Sequence, residues 1–185
     1  MKQENRQIEI EFRSRFDKNK YQKLKAFLKK NAKDLGQDNK NVFFFILSNK
    51  LLKVVNNLSK KTAKIVLKLN KIGYGSDFEE IEIPINTSDI SDSVKMFSYL
   101  NLKADLIESF QERHNYLYEE AEIALKYSDH WGYHLEIEIM ISDISDKENA
   151  EQKIKEIAQK LDIELMTDQE LKEFTQKAEK DYKRR

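Results

Sequence analysis

Ile8-Glu9-Ile10-Glu11-Phe12-Arg13-Ser14-Arg15-Phe16 decides the fold. Ile8, Ile10 and Phe12 alternate with Glu9, Glu11, Arg13 and Arg15, a period of two that an extended strand sorts into two faces. One face is apolar and the other is ionic. The same alternation returns at Lys64–Lys71, where Ile65, Leu67 and Leu69 oppose Lys64, Lys68 and Asn70. It returns again where Glu80 and Glu82 alternate with Ile81, Ile83 and Ile85, with Pro84 suited to a strand end because it cannot donate to a ladder. The last instance is Tyr133–Ile141, where His134, Glu136 and Glu138 oppose Leu135, Ile137 and Ile139.

Other segments fall between these strands. Tyr21, Leu24, Leu28 and Leu35 recur at helical spacing, and Gly36 would supply a left-handed C-terminal cap. Val42–Leu47 and Lys50–Asn56 read as strands joined near Ser48 and Asn49, and Gly73 and Gly75 mark a loop. Val94, Phe97 and Leu100 suggest a short helix, followed by strands at Leu106–Tyr118 and Glu122–Tyr127 and a turn at Asp129–Gly132. Toward the end, Ala150, Ile154, Ile157 and Leu161 are in helical phase behind Asp146 as N-cap. Thr167 and Glu170 have capping-box spacing ahead of Leu171 and Phe174, and Lys183-Arg184-Arg185 reads as a solvated end.

Composition narrows the classes of function. Charged residues make up 36% of the 185, but 33 basic and 33 acidic side chains cancel. No bulk field is expected to gather nucleic acid or an anionic membrane, so any phosphate binding must come from locally sorted charge. Without cysteine there is neither a disulfide framework nor a thiolate metal site. The start Met1-Lys2-Gln3-Glu4-Asn5 lacks the apolar core of a signal peptide, which gives a cytoplasmic expectation. Val42–Leu47, the longest apolar run, is far short of the roughly 20 residues that span a bilayer. Neither GxxxxGK[ST] nor GxGxxG occurs, so phosphate recognition would fall to side chains.

The Glu-x-Glu pairs are Glu9 with Glu11, Glu80 with Glu82, and Glu136 with Glu138. Residues i and i+2 of a strand share a face, so each pair holds like charges about 7 Å apart, poised to share a cation. A sheet with water on one side gives the same pattern, since periodicity alone cannot separate a solvated face from a lined tunnel. If Lys53, Lys68 and Arg113 reach the same closed face, the interior is an ionic lining for a highly charged ligand, with all packing outside.

The order of motifs resembles the CYTH superfamily, the triphosphate tunnel metalloenzymes, over roughly residues 8 to 165. Glu9-Ile10-Glu11-Phe12-Arg13 resembles its opening ExExK strand, and Leu52-Lys53-Val54 its basic second segment. Ile65-Val66-Leu67-Lys68 is similar to its apolar run ending in lysine, and Phe78–Ile83 to its acidic middle strand. Gln111-Glu112-Arg113 matches its arginine strand, and Ile123–Lys126 through Trp131–Glu138 its closing block. The resemblance departs from the family at Arg13, which keeps the charge but changes the donor geometry, and at Lys126, where many members place an aspartate. The number of bound metals turns on that second position.

The resemblance implies an α+β fold: an antiparallel β-barrel tunnel of about eight strands over residues 8–142, with flanking helices and C-terminal helices over about 146–182, in a single domain. It implies Mg²⁺ or Mn²⁺ held by Glu9, Glu11, Glu136 and Glu138 as metal-binding and catalytic residues. Arg13, Lys53, Lys68, Glu80, Glu82, Arg113, Lys126 and His134 would face a small-molecule triphosphate or nucleotide. Three functions follow from it: a triphosphatase, a class IV adenylate cyclase making cAMP and pyrophosphate from ATP, or a phosphate-binding module without turnover, the last favoured by Lys126. His134 shares the parity of Glu136 and is expected to hydrogen-bond a glutamate, with metal ligation or proton transfer as its alternative roles. His114 and His130 are read as structural or exposed. Trp131 is expected to pack as an anchor, the alternative being to stack on a base, and Phe43-Phe44-Phe45 is expected in the core.

Overall fold

The protein is described by a computed structural model that covers residues 8–69, 74–100, 102 and 105–183. Residues 70–71 of the expected strand, Gly73, the chain start and Arg184-Arg185 lie outside the described residues. The elements in order are β1 (Ile8–Arg15), α1 (Lys18–Asn31), β2 (Lys33–Gln37), β3 (Lys40–Ile46), β4 (Leu51–Asn57), β5 (Thr62–Lys68) and β6 (Asp77–Ile85). They continue with α2 (Ile90–Tyr99), β7 (Asp105–Tyr118), β8 (Ala121–Ser128), β9 (Gly132–Ile141), α3 (Lys147–Lys160) and α4 (Asp168–Lys183).

Eight strands close into an antiparallel barrel in the order β7-β3-β4-β5-β6-β1-β9-β8, with β8 returning to β7. β1 is held by β9 along its whole length, from Ile8↔Ile141 to Arg15↔His134, and by β6 only over Ile8–Ile10. Where β6 diverges, the segment between α3 and α4 covers the open flank, with Met166 N–H donating to the Arg13 carbonyl at 2.8 Å.

The ninth strand, β2, corrects the sequence reading. Leu35 is in helical phase with Leu24 and Leu28, yet α1 stops at Asn31, whose Nδ2 donates to the Phe27 carbonyl at 2.8 Å. Ala32 is already extended, and β2 runs along the same flank of β7 as β3, the register passing from Gln37↔His114 to Lys40↔Gln111 without a slip. The unpaired groups on that flank of β7 compete with a last helical turn, and the ladder wins. Gly36 does not cap the helix: it sits at φ 89° in a bulge of β2.

All helices lie outside the barrel or at its rim. The apolar outward faces of β1, β7, β8 and β9 pack on α1 and α3 through Ile10, Tyr116, Ile123, Leu125, Leu135 and Ile137 against Leu24, Leu28, Ile154 and Ile157, all buried. A second cluster sets Phe45, Leu52 and Val54 under Val94 and Phe97 of α2. The capping box of α4 forms as expected: Glu170 N–H donates to Thr167 Oγ1 at 3.2 Å, and Glu170 Oε2 accepts from Thr167 N–H at 2.7 Å. Asp146 makes no side-chain cap; Asp143 instead accepts from Ser145 N–H and caps the short 3-10 turn that leads into α3. No helix among the described residues is long and apolar enough to cross a membrane.

Candidate functional site

With the apolar faces turned outward, strand parity sends the charged residues inward, where they line a cavity of about 590 Å³. Glu9 and Glu11 of β1 and Glu138 of β9 each place a carboxylate oxygen within 4.8 Å of the others. Burial, reinforced by Glu11, raises the Glu9 pKa above the usual carboxylate range. Burial also pushes Glu138 up to about 8, with the neighbouring carboxylates overcoming the opposite pull of Arg113. Crowded carboxylates that resist ionisation, and a donor set made only of oxygen, suit a hard divalent cation such as Mg²⁺ or Mn²⁺.

Lys68 stands beside this group, its ammonium 2.9 Å from Glu9 Oε2, 3.2 Å from Glu11 Oε2 and 2.7 Å from Glu80 Oε1. These carboxylates outweigh burial and raise its pKa. Lys53 lies 3.8 Å from Glu80 and is drawn down to about 8 by burial and by repulsion from Lys68. Against the upward pull of burial, Lys53 and Lys68 hold Glu80 at about 2. Glu82 pairs with Lys64 nearer the surface.

Glu136 has different neighbours. Its Oε1 accepts from Arg13 Nε at 3.1 Å, and its Oε2 faces Lys126 Nζ at 2.9 Å and an Arg113 terminal nitrogen at 3.4 Å. Arg13 also pairs with Glu11. Although burial opposes ionisation, these cations hold Glu136 well below the usual range. The sequence grouped Glu136 with Glu9, Glu11 and Glu138; the structure places it in a separate, cation-rich group. Arg113 links the two, reaching Glu138 and Glu122 at 3.4 Å each.

His134 does not bond a glutamate. Its Nδ1 donates to the Gly132 carbonyl at 2.9 Å. Burial, with Lys126 nearby, drives its pKa down to about 3, so the ring is neutral and Nε2 carries no proton. Trp131 is half-buried, packs between His134 and Phe174 of α4 at centroid distances of 5.2 and 4.9 Å, and also lines the cavity. His114 gains a partner the sequence did not offer, Asp34 of β2 at 2.6 Å.

The lining is not ionic throughout, which corrects a second expectation. Val42, Val55 and Val66 cluster with Phe44 on the inner wall of β3–β5, so of the Phe43–Phe45 run only Phe45 is fully buried and Phe44 turns inward. Asp38, Lys40, Asn115 and Glu122 also line the cavity and were not singled out from the sequence. Asp38 bonds Asn57 at 2.6 Å and pairs with Lys40 at 2.7 Å; against burial, Lys40 keeps its pKa far below the usual range. Lys40 shares the parity of Val42, Asn115 that of Arg113, and Glu122 that of Lys126, so following each alternation one step further, or two from Lys126, would have found them. Asp38 lies between strands, where no period applies.

Fold and lining define a closed tunnel built around opposed clusters of buried charge. No protein-family model matches the chain, and no curated protein matches it. Solved structures do. The PH1012 protein of Pyrococcus horikoshii superposes with a TM-score of 0.70 at 23% identity, over 84% of this chain and 91% of that one. A candidate adenylate cyclase from Vibrio parahaemolyticus gives 0.67 at 16% identity, over 91% and 98%. HpAC1 from Hippeastrum, a candidate adenylyl cyclase described as having a dominant triphosphatase activity, gives 0.61 at 17%, over 86% and 89%. At these identities the likeness is one of fold alone: the chain shares with these structures the closed antiparallel barrel that the resemblance in its motifs implied.

Proposed function

We propose that this protein is a divalent-metal-dependent phosphohydrolase that draws a small molecule bearing a triphosphate into its tunnel. One observation carries the reading: a single cavity holds the three convergent carboxylates Glu9, Glu11 and Glu138 together with the inward cations Lys53, Lys68 and Arg113. Mg²⁺ or Mn²⁺ bound by those carboxylates would supply Lewis-acid charge to phosphate oxygens and a polarised water. Lys53, Lys68 and Arg113 neutralise the remaining phosphate charge, including that which develops on the transferred group. Lys68 also holds Glu9, Glu11 and Glu80 together, and Arg13 fixes Glu11 relative to Glu136. The HpAC1 neighbour, described as having a dominant triphosphatase activity, supports the reading by analogy of fold.

Cyclisation of ATP is the second reading. The apolar wall of Val42, Phe44, Val55 and Val66 favours it, because it offers a base an apolar surface beside the charged clusters. A turnover screen of tripolyphosphate, thiamine triphosphate and ATP with Mg²⁺ or Mn²⁺ separates the two: released phosphate marks the hydrolase, and cyclic nucleotide with pyrophosphate marks the cyclase. Lys53→Ala and Arg113→Ala should each weaken triphosphate binding roughly 10- to 100-fold, at about 1.5–3 kcal/mol per charge-assisted contact, and monophosphate binding much less. Equal losses for both ligands would argue against a tunnel clamp.

A further inference from the structure

The sequence offers four inward glutamates on β1 and β9, enough for two cations. The structure divides them. Glu9, Glu11 and Glu138 converge, whereas both oxygens of Glu136 are taken by Arg13, Lys126 and Arg113. Arg13 is shared with Glu11, and Arg113 with Glu138 and Glu122, but Lys126 pairs with Glu136, its ammonium 2.9 Å from Oε2, so a divalent ion on that oxygen would be set against a fixed positive charge. The Lys126, Arg13 and Arg113 side chains are 7%, 4% and 11% exposed, so parting any of them from Glu136 separates charges in a largely desolvated place. Lys126 nonetheless lines the cavity that the carboxylate group lines.

We propose that this protein takes one divalent cation per chain, on Glu9, Glu11 and Glu138, and that the Lys126 ammonium is a built-in cation standing where a second would otherwise sit. The inference rests on the metal-dependent reading above. A resident ammonium needs no loading and does not dissociate, so part of the phosphate affinity is independent of metal. Two-metal phosphohydrolases set ions on both sides of the reacting phosphate; here one of the two charges is covalently part of β8.

Counting bound Mn²⁺ by the loss of its free-ion paramagnetic resonance signal tests this without reference to activity. Wild type should bind one ion. Glu136→Gln should also bind one, with affinity within about threefold of wild type, whereas Glu138→Gln should bind it at least tenfold more weakly. Lys126→Asp, which replaces the ammonium by a carboxylate beside Glu136, should bind two. A wild-type count of two, or equal losses from Glu136→Gln and Glu138→Gln, overturns the proposal, as does a folded Lys126→Asp chain that still binds one. If Lys126→Asp does not fold, Lys126→Met decides: it should keep one Mn²⁺ but lose at least tenfold in metal-free tripolyphosphate affinity, and an unchanged affinity overturns the role of Lys126. Turnover with two bound ions would remove only this inference. No Mn²⁺ binding and no triphosphate turnover in wild type would remove the phosphohydrolase reading beneath it.

Discussion

Glu138 keeps its proton up to a pH of about 8 because ionising it means placing charge in a buried site beside other carboxylates. In the unfolded chain the same group titrates near 4.5, so between about 4.5 and 8 the folded form binds the extra proton. Stability from this residue therefore declines as pH rises through that window. Glu138→Gln removes the proton linkage, and calorimetric melts without metal should show the mutant gaining on wild type from pH 6 to pH 9. A constant gap would show that Glu138 is ionised throughout. Mn²⁺ must displace the same proton, so its apparent affinity for wild type should rise over the same interval. At this scale the sequence was informative about direction and silent about company. Parity placed Glu9, Glu11, Glu136 and Glu138 on one face, but it carries no height along the barrel, so it could not reveal that Glu136 is the one of the four that meets Arg13, Lys126 and Arg113 together, from three different strands.

Among the elements, β2 shows where periodicity fails. Leu24, Leu28 and Leu35 fit one helical stripe, and only the flank of β7, some eighty residues further along the chain, decides that 33–37 is a strand. The strands with strict alternation were legible because each carries its own evidence; β2 is short and mostly exposed, and it owes its conformation to a partner. Its bulge depends on Gly36 at φ 89°. A Cβ there would meet nothing within 4 Å, so Gly36→Ala should cost backbone strain alone, about 1 kcal/mol, or about 2–4 °C of melting temperature in a chain of this size. Asn tolerates positive φ better, so Gly36→Asn should lose less. Equal losses in thermal melts would mean that the position is not held in the left-handed region. His114 depends on the same element for its bond to Asp34, which is why it looked partnerless in sequence.

At the scale of the whole molecule, the apolar packing lies between barrel and helices, and opposed charges are gathered inside the barrel. Formal neutrality over the chain hides this separation, which composition could not disclose. Removing one internal charge should therefore act on the entire barrel. Lys68→Met leaves Glu9, Glu11 and Glu80 without their shared cation and should cost about 3–5 kcal/mol near neutral pH. Lowering the pH neutralises the stranded carboxylates and should recover part of that loss. Millimolar Mn²⁺ should also raise the mutant's melting temperature more than the wild type's, and an identical Mn²⁺ response would mean that Lys68 does not balance the metal-binding group. Closure of the barrel has a further consequence, in time rather than in energy. β1 is made first, yet five of its eight residues, Glu11 to Arg15, find strand partners only in β9, near the end of the barrel's sequence. At about 5–20 residues per second of synthesis, Gly132 follows Arg15 by roughly 6–23 s. During that interval β1 has only its three partners in β6, and its glutamates remain in water. The charged interior can be sealed from solvent only when β9 slots between β1 and β8, so the last strand to be made is the one that shuts the tunnel, and a nascent chain stalled before it would present two open strand edges to its neighbours.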